Sequence, residues 1–446
     1  MRRLSFARRL VIAGIASFVV VFGVGLLGIS KAPATPFDEA THMDYLFKVA
    51  DGHIPQILEP YGQKALSIWA CDDPRGAAWA ALEPCGSPTF SPGLAPFGGQ
   101  STATGYTPTY YVLSAIPYRI CEAVTNWQAR PCARTANLVW LSAAASGFTV
   151  LILLLGQGLV VAILSGIGLC LIPSVLLQGI TFNPDAAVHA VLPWLAVLAL
   201  ALSRSRWKPS RQILVLCLAS LIAITLKETA LVGAFLIFVF FAYAQVSRLA
   251  GRERLVRLGW LALAFTAVLV GVVANQKFQL LWRGQGLVDH MNASILTPPD
   301  QIMGVLGTAF WSVLGPFNQL VWGPLAGGDL QNYVGVLAIV TWAMVLQIQT
   351  LRAGPEGPVE LPARRRLPTS FAPLALIVAI TLPIVLTYAL WRQSGLAPVQ
   401  PRYYMGTAAV LFALGVGSTR NRYVGWFAAA CLTFLSVAVV RSLLAA

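Results

Sequence analysis

"MRRLSFARRLVIAGIASFVVVFGVGLLGIS", Met1 to Ser30, decides what kind of molecule this chain is. Arg2, Arg3, Arg8 and Arg9 lead into Val11–Ser30, a run without a charged side chain. A helix rises 1.5 Å per residue, so ~20 apolar residues cross the ~30 Å hydrocarbon layer of a bilayer. The run is longer than the apolar part of a typical cleaved leader and lacks a clear small-x-small cleavage site, so it reads as a retained span. Similar runs recur near 137–155, 159–177, 186–203, 213–226, 229–245, 258–274, 333–349, 371–390, 404–417 and 424–443. The composition agrees: 57% of the residues are hydrophobic, 11% are charged, and the mean hydropathy is +0.71. The expected fold is all-α and polytopic, one integral membrane domain over residues 1–446. It has about eleven transmembrane helices and a large first outer loop over 31–107.

The net charge of +14 would suit nucleic acid, but its distribution does not. With the N-terminus inside and the spans alternating, the inner loops receive Arg204, Arg206, Lys208 and Arg211. They also receive Arg248, Arg252, Arg254, Arg257, Arg352, Arg364 to Arg366, Arg420 and Arg422. Only Glu253, Glu356 and Glu360 oppose them there. Cytoplasmic loops carry such an excess of Lys and Arg, so the basic surplus reports topology. No basic-aromatic motif points to nucleic acid, and that class of partner is excluded.

The same topology places Cys71, Cys85, Cys121 and Cys132 outside, and Cys170, Cys217 and Cys431 in spans. Disulfides persist in oxidising compartments. Pairing Cys71 with Cys85 and Cys121 with Cys132 is the shortest of three connectivities; four free thiols are the alternative. Within the outer loop, the stretch from Glu83 to Gly105 is rich in Pro, Gly, Ser and Thr and reads as irregular. "YTPTYYVLSAIPYRICEAV" follows, and residues 108–125 suit an interfacial helix on the outer leaflet. A second outer segment runs from Lys277 to about Asn332 and is ambiguous between an outer helix pair and a re-entrant element.

"TPFDEATHMDYLFKVADGHIP", Thr35 to Pro55, gathers Asp38, Glu39, Asp44, Asp51, His42 and His53 directly beyond the first span. One explanation is local. Thr35 can cap a helix, Pro36 suits its first position, and Asp38 completes a capping box. Asp38 and Glu39 would then meet the positive end of the helix dipole. The other explanation is chemical. A helix over 36–51 puts Asp38 and His42 on one face at i, i+4, with Glu39 beside them. That cluster sits where a membrane enzyme would meet the headgroup of a lipid-linked substrate. "FNPDAAVHA" repeats the pattern: Asn183, Pro184 and Asp185 can start a helix, yet Asp185 and His189 are again Asp and His at i, i+4. An ionisable group entering a span is usually functional or paired. Asp185 therefore joins the candidate site, His189 reads as a satisfied bundle histidine, and Asp300 as a cap residue. Asp72 and Asp73 lack further ligands, which leaves the metal ligands unknown and a divalent cation open.

The stretch at Thr35–Pro55 resembles the P-x-D-E-x-x-H signature of a bacterial membrane family, domain of unknown function 2142. That family is grouped with the GT-C glycosyltransferases. "YTPTYYVLSAIPYR" is similar to its P-P-x-Y-Y segment, with Thr107 in place of the first Pro. "ITFNPDAAVHA" is similar to its N-P-D segment, and "LKETALVG" to its L-K-P-x segment, with Glu228 replacing Pro. "WSVLGPFNQLVWGP" resembles its Trp/Gly-rich outer helix, and "VQPRYYMG" its Q-G-R-Y segment, with Pro401 replacing Gly. The resemblance implies a GT-C-like fold in the bacterial cytoplasmic (inner) membrane, with a cytoplasmic N-terminus and an extracytoplasmic first loop. It implies a polyprenyl-phosphate sugar as donor and a glycan or lipid of the cell envelope as acceptor. Asp38 would be the acceptor's base and Glu39 the second acid.

Sugar transfer by displacement needs a carboxylate to take the acceptor's proton and positive groups to steady the departing phosphate. The outer basic residues near span ends are Lys227, Lys277, Arg283, Arg392 and Arg402. Arg402, beside Tyr403 and Tyr404, is the first candidate for the phosphate and Lys227 the second. Tyr403 and Tyr110 join them as substrate contacts, and His42 completes the catalytic group with Asp38, Glu39 and Asp185. Lipid anchoring by snorkelling is the simpler account of Arg402 and Lys227. The rival classes are a transporter of an envelope precursor and a non-catalytic assembly protein. A transporter would carry ionisable groups near the midplane and paired broken helices, and an assembly protein would not need the Asp/Glu/His cluster.

Overall fold

The computed structural model describes residues 5–32, 39–72, 82–246, 249, 251–283, 405–418 and 422–445. Asp38, Asp73, Arg392, Arg402 and Tyr403 lie outside them, as do the expected spans at 333–349 and 371–390 and most of the second outer segment. Among the described residues the elements are helical, apart from one isolated antiparallel bridge between Pro60 and Gln100.

Helix α1 (Phe6–Ile29) starts where the Ser5 side chain accepts the Arg8 N–H at 3.4 Å. Its buried face is a stripe of small residues, Ala13, Gly14, Ser17, Gly25 and Gly28, with Val21. Small residues let helix backbones approach where lipid supplies no hydrophobic drive. The stripe lies antiparallel on α5 (Ala129–Leu154). Ser146 donates to the Gly14 carbonyl at 2.6 Å, and the Ser17 and Thr149 hydroxyls are 2.7 Å apart. A Cβ on Gly25 would run into Leu138. The end of α1 therefore meets the beginning of α5. That beginning lies eight residues before the expected span start at Asn137, which brings Arg134 inside the helix.

The expected span at 159–177 is two helices, α6 (Leu159–Cys170) and α7 (Pro173–Ile180), bent by 67°. Pro173 has no N–H for a continuing helix, so its place is the first position of a new one. The remaining helices are α8 (Asp185–Arg204), α9 (Pro209–Leu226), α10 (Ala230–Val246), α11 (Gly251–Arg283), α12 (Met405–Ser418) and α13 (Arg422–Ala445). Six described helices are long and apolar enough to cross a membrane, or seven spans if the bent pair is one. The expected eleven are thus not reached among the described residues: α10 and α12 have 17 and 14 residues, and two runs fall outside. Outward faces carry exposed apolar side chains, among them Val11, Ile15, Leu214, Leu218, Val270 and Phe434, the surface that a bilayer would cover.

The described part of the first loop is folded, and its stretch 83–105, expected as irregular, carries only short 3-10 turns. It holds α2 (Glu39–Ala50), α3 (Gln63–Asp72) and 3-10 turns at Pro92–Leu94, Pro96–Gly99 and Thr102–Gly105. Disulfides join Cys71 to Cys85 and Cys121 to Cys132. Tyr61, Leu66, Trp69, Phe90 and Ala95 form a small core of their own. Periodicity could not announce the 3-10 turns, which are too short to repeat a face. Helix α4 (Thr109–Val124) buries Tyr110, Tyr111, Ser114, Tyr118 and Cys121, and exposes Val112, Ile116, Ile120 and Val124 at four-residue spacing.

The loop gathers at one end of the bundle. There the Lys31 ammonium reaches the Leu443 carbonyl, joining the ends of α1 and α13. The starts of α1 and α11 and the α8–α9 turn lie at the other end, with Arg8, Arg9, Arg204, Lys208, Arg252 and Arg254. The positive-inside rule predicts that the basic end faces the cytoplasm and the loop end the other side. Thr89 is exposed at the loop end and Lys208 at the basic end. In whole cells, Thr89→Cys should react with an impermeant maleimide and Lys208→Cys only after permeabilisation. The reverse pattern would invert the topology.

Candidate functional site

The site begins at a buried ion pair. Arg134 Nε donates to Glu39 Oε1 at 2.6 Å and Nη2 to Oε2 at 2.7 Å. Its Nη1 donates to the carbonyls of Ile29 at 2.6 Å and Ala32 at 2.7 Å. Glu39 Oε1 also accepts the Phe182 N–H at 3.0 Å. Burial alone would raise the Glu39 carboxyl, but the Arg134 guanidinium and these hydrogen bonds hold it below the ordinary carboxylate value. Glu39, expected as a second acid, is bound through both oxygens, which suits it to holding α2 in place.

The other acids of that stretch also hold structure. Asp44 accepts the Gly62 N–H at 2.7 Å and pairs with Lys48 at 3.0 Å, which fixes α2 to the loop before α3. Asp51 pairs with Arg119 on α4. His53 Nε2 lies 2.8 Å from Glu59. The clustering that opened two readings is thus largely a matter of anchoring, with Asp38 outside the described residues.

His42, one turn into α2, is buried with its Nδ1 2.7 Å from the Tyr111 hydroxyl. Its ring lies 5.5 Å from that of Tyr106, and Tyr45 stacks on Tyr111 at 3.8 Å. Burial pushes the phenols of Tyr45, Tyr110 and Tyr111 well up, so they serve as neutral hydroxyls. Tyr110, expected to touch substrate, is fully buried and donates to Asn137 Oδ1 at 2.6 Å. Asn137 in turn donates to the carbonyls of Gln178, at 2.6 Å, and Thr181. Tyr110 is therefore part of the packing between α4, α5 and α7.

Asp185 opens α8, and its N–H donates to Asn183 Oδ1 at 2.9 Å. Lys227, at the end of α9, brings its ammonium to 3.7 Å from Asp185 and 3.8 Å from the centre of the Tyr106 ring. A carboxylate on one side and an aromatic face on the other are a stable setting for a buried ammonium. The fold thus brings together Asp185, Lys227 and, through Tyr106, His42, which are far apart in the chain. His189 is turned elsewhere, with its Nε2 2.8 Å from Gln178 Oε1. Lys277 is exposed on α11. Among the described residues no group of three or more His, Cys, Asp or Glu side chains could hold a metal ion.

Arg283 is a second buried hub. From the end of α11 it donates to the carbonyls of Pro55 at 3.1 Å, Tyr106 at 2.7 Å and Thr104, and lies 5.3 Å above the Tyr45 ring. The Ile57 N–H returns a bond to its carbonyl at 3.0 Å. Arg283 is one of the basic residues expected near an outer span end, and its guanidinium is occupied in pinning the loop that carries Tyr106. Arg134 is not among the candidates from sequence because the expected span begins at Asn137. An arginine within "ARTANLVWL", a helix otherwise apolar, was the signal that could have found it.

No family model matches the chain, so none supports the motif resemblance, and no curated protein matches it. Solved structures similar to the chain include two crystal structures of ArnT from Cupriavidus metallidurans. For the apo state the identity is 16%, the TM-score 0.39, and the match covers 97% of this chain and 78% of the other. For the form bound to undecaprenyl phosphate the identity is 16%, the TM-score 0.38, and the coverage 96% and 77%. At that identity and those TM-scores the likeness assigns this chain neither a family nor a function.

The Glu39–Arg134 pair predicts a pH response. A carboxyl lowered on folding contributes stability that is present above its ordinary value of 4.5 and is lost as pH falls through its folded value. Glu39→Gln leaves a buried guanidinium without its counter-charge and should cost about 3–5 kcal/mol. It should also flatten the acid-side loss, while Glu39→Gln with Arg134→Met recovers part of the stability. Unfolding of the detergent-solubilised protein, followed from neutral pH downward, checks all three.

Proposed function

We propose that the chain is a GT-C-type membrane glycosyltransferase. It moves a sugar from a polyprenyl-phosphate donor to a cell-envelope glycan or lipid acceptor on the outer face of the bacterial cytoplasmic membrane. One observation carries the reading. The residue following Asp38 is clamped by a buried arginine at the bundle end where Lys227, Asp185, Tyr106 and His42 converge. An acid meant to meet a substrate at fixed geometry needs such a held neighbour.

In the proposed reaction Asp38 accepts the proton of the acceptor hydroxyl. The acceptor oxygen bonds to the sugar's anomeric carbon as the bond from that carbon to the phosphate oxygen breaks. The phosphate leaves with the electron pair, and its growing charge is met by Lys227 and Arg402. Glu39 positions rather than reacts. Asp185 and Tyr106 hold Lys227, and Tyr111 orients His42. Tyr403 is the remaining substrate contact. Helix α4 lies on the outer leaflet with Val112, Ile116 and Ile120 in lipid.

Asp38→Asn separates chemistry from capping, because Asn is as good a cap but a far weaker base. Sugar transfer in proteoliposomes should fall by roughly 10²-fold or more, with thermal stability nearly unchanged. Thr35→Ala should cost about 1 kcal/mol of stability and leave most of the activity. Lys227→Met should lower transfer while leaving topology intact. A fully active Asp38→Asn protein would return that acid to helix capping.

A further inference from the structure

A groove of about 710 Å³ opens between α1, α6 and α13, away from the Lys227 cluster. Val20 and Val24 form one wall, Ile167 and Leu171 the second, and Val440 and Arg441 part of the third. Its two hydroxyls make no demand on a ligand: Thr433 donates to the Ala429 carbonyl at 2.7 Å and Ser436 to the Leu432 carbonyl at 2.8 Å. The lining is thus functionally apolar except at one point, Arg441.

Arg441 stands just over one turn before the end of α13 at Ala445. Two residues on, the Leu443 carbonyl takes the Lys31 ammonium at the loop end of the bundle. The groove therefore has its charge at the level of the outer headgroups. From Thr433 to Leu444 it descends ~16 Å along the helix, at 1.5 Å per residue. That is about half of the ~30 Å hydrocarbon layer, the depth of a single leaflet. Among the described residues no carboxylate pairs with Arg441. A guanidinium at the head of an apolar channel one leaflet deep is complementary to a phosphate carrying an acyl chain.

We infer that this groove is a binding site for an anionic glycerophospholipid of the outer leaflet, with its phosphate on Arg441 and one acyl chain along α1 and α13. A polyprenyl phosphate shares the headgroup chemistry, but its longer chain would overrun a groove that ends near the midplane. The assignment is independent of the proposed sugar transfer.

Native mass spectrometry of the full-length protein, delipidated and then given phosphatidylglycerol or phosphatidylcholine of identical chains, tests it. Wild type should retain one phosphatidylglycerol with a preference of roughly tenfold, the scale of one charge-assisted contact. Arg441→Gln should retain both lipids alike. Val440→Trp, which fills the groove, should retain neither; if it does not fold, the Arg441→Gln comparison decides. No preference in wild type, or a preference that survives Arg441→Gln, would overturn the site. So would undiminished retention by folded Val440→Trp. Displacement by an equal concentration of a polyprenyl phosphate would overturn the choice of a glycerophospholipid.

Discussion

Arg134 and Glu39 form the contact on which the loop end of the bundle depends. A lone charge in that interior would cost several kcal/mol, so the pair persists only because each donor and acceptor is answered. Two guanidinium nitrogens on one edge meet the carboxylate, and the third nitrogen meets the carbonyls of Ile29 and Ala32. The last carbonyls of a helix have no partner within it, and a cation there also suits the negative end of the helix dipole. The Phe182 N–H closes the set. The pair thereby joins the end of α1, the start of α2, the first turns of α5 and the turn before α8.

The consequence, over the described residues, is a loop folded onto one end of the helix bundle. Helix α2 is fixed at its first residue by Glu39 and along its length by Asp44. Arg283 anchors Thr104 and Tyr106 from the far side, and Thr107 donates to the Thr225 carbonyl at the end of α9. Tyr106 is thus held between two anchored segments, and Lys227 rests on its face. Loops are usually the mobile part of a protein. Here a disulfide, buried cations and a separate aromatic core make the loop as built as the bundle, which suits a surface that must present ionisable groups at constant geometry.

Charges crowd at the two bundle ends for one physical reason. Within the hydrocarbon a charged side chain is expensive, so the middle of each span is apolar and the ends carry the chemistry. Among the described residues the basic end is made of short turns and the other of a long folded loop. The groove at α13 obeys the same rule, apolar along its length and cationic only at its outer rim.

The sequence by itself determined the membrane class, the basic character of the turns at one bundle end and the helical nature of Glu39–Ala50 and Thr109–Val124. Each of those rests on local hydropathy, charge or periodicity. The tertiary structure decided that Glu39, Asp44 and Asp51 are anchors, that Tyr110 is packing, and that Arg283 grips backbone. It also decided that Arg134 lies inside α5 and that the run at 159–177 breaks before Pro173. Those outcomes depend on partners distant in the chain: Glu39 meets a residue 95 positions away, and Asp185 meets Lys227 across α8 and α9. A carboxylate's composition and spacing are the same whether it caps a helix, clamps a guanidinium or takes a proton. Only the position of its opposite charge, set by how the helices pack, tells these apart.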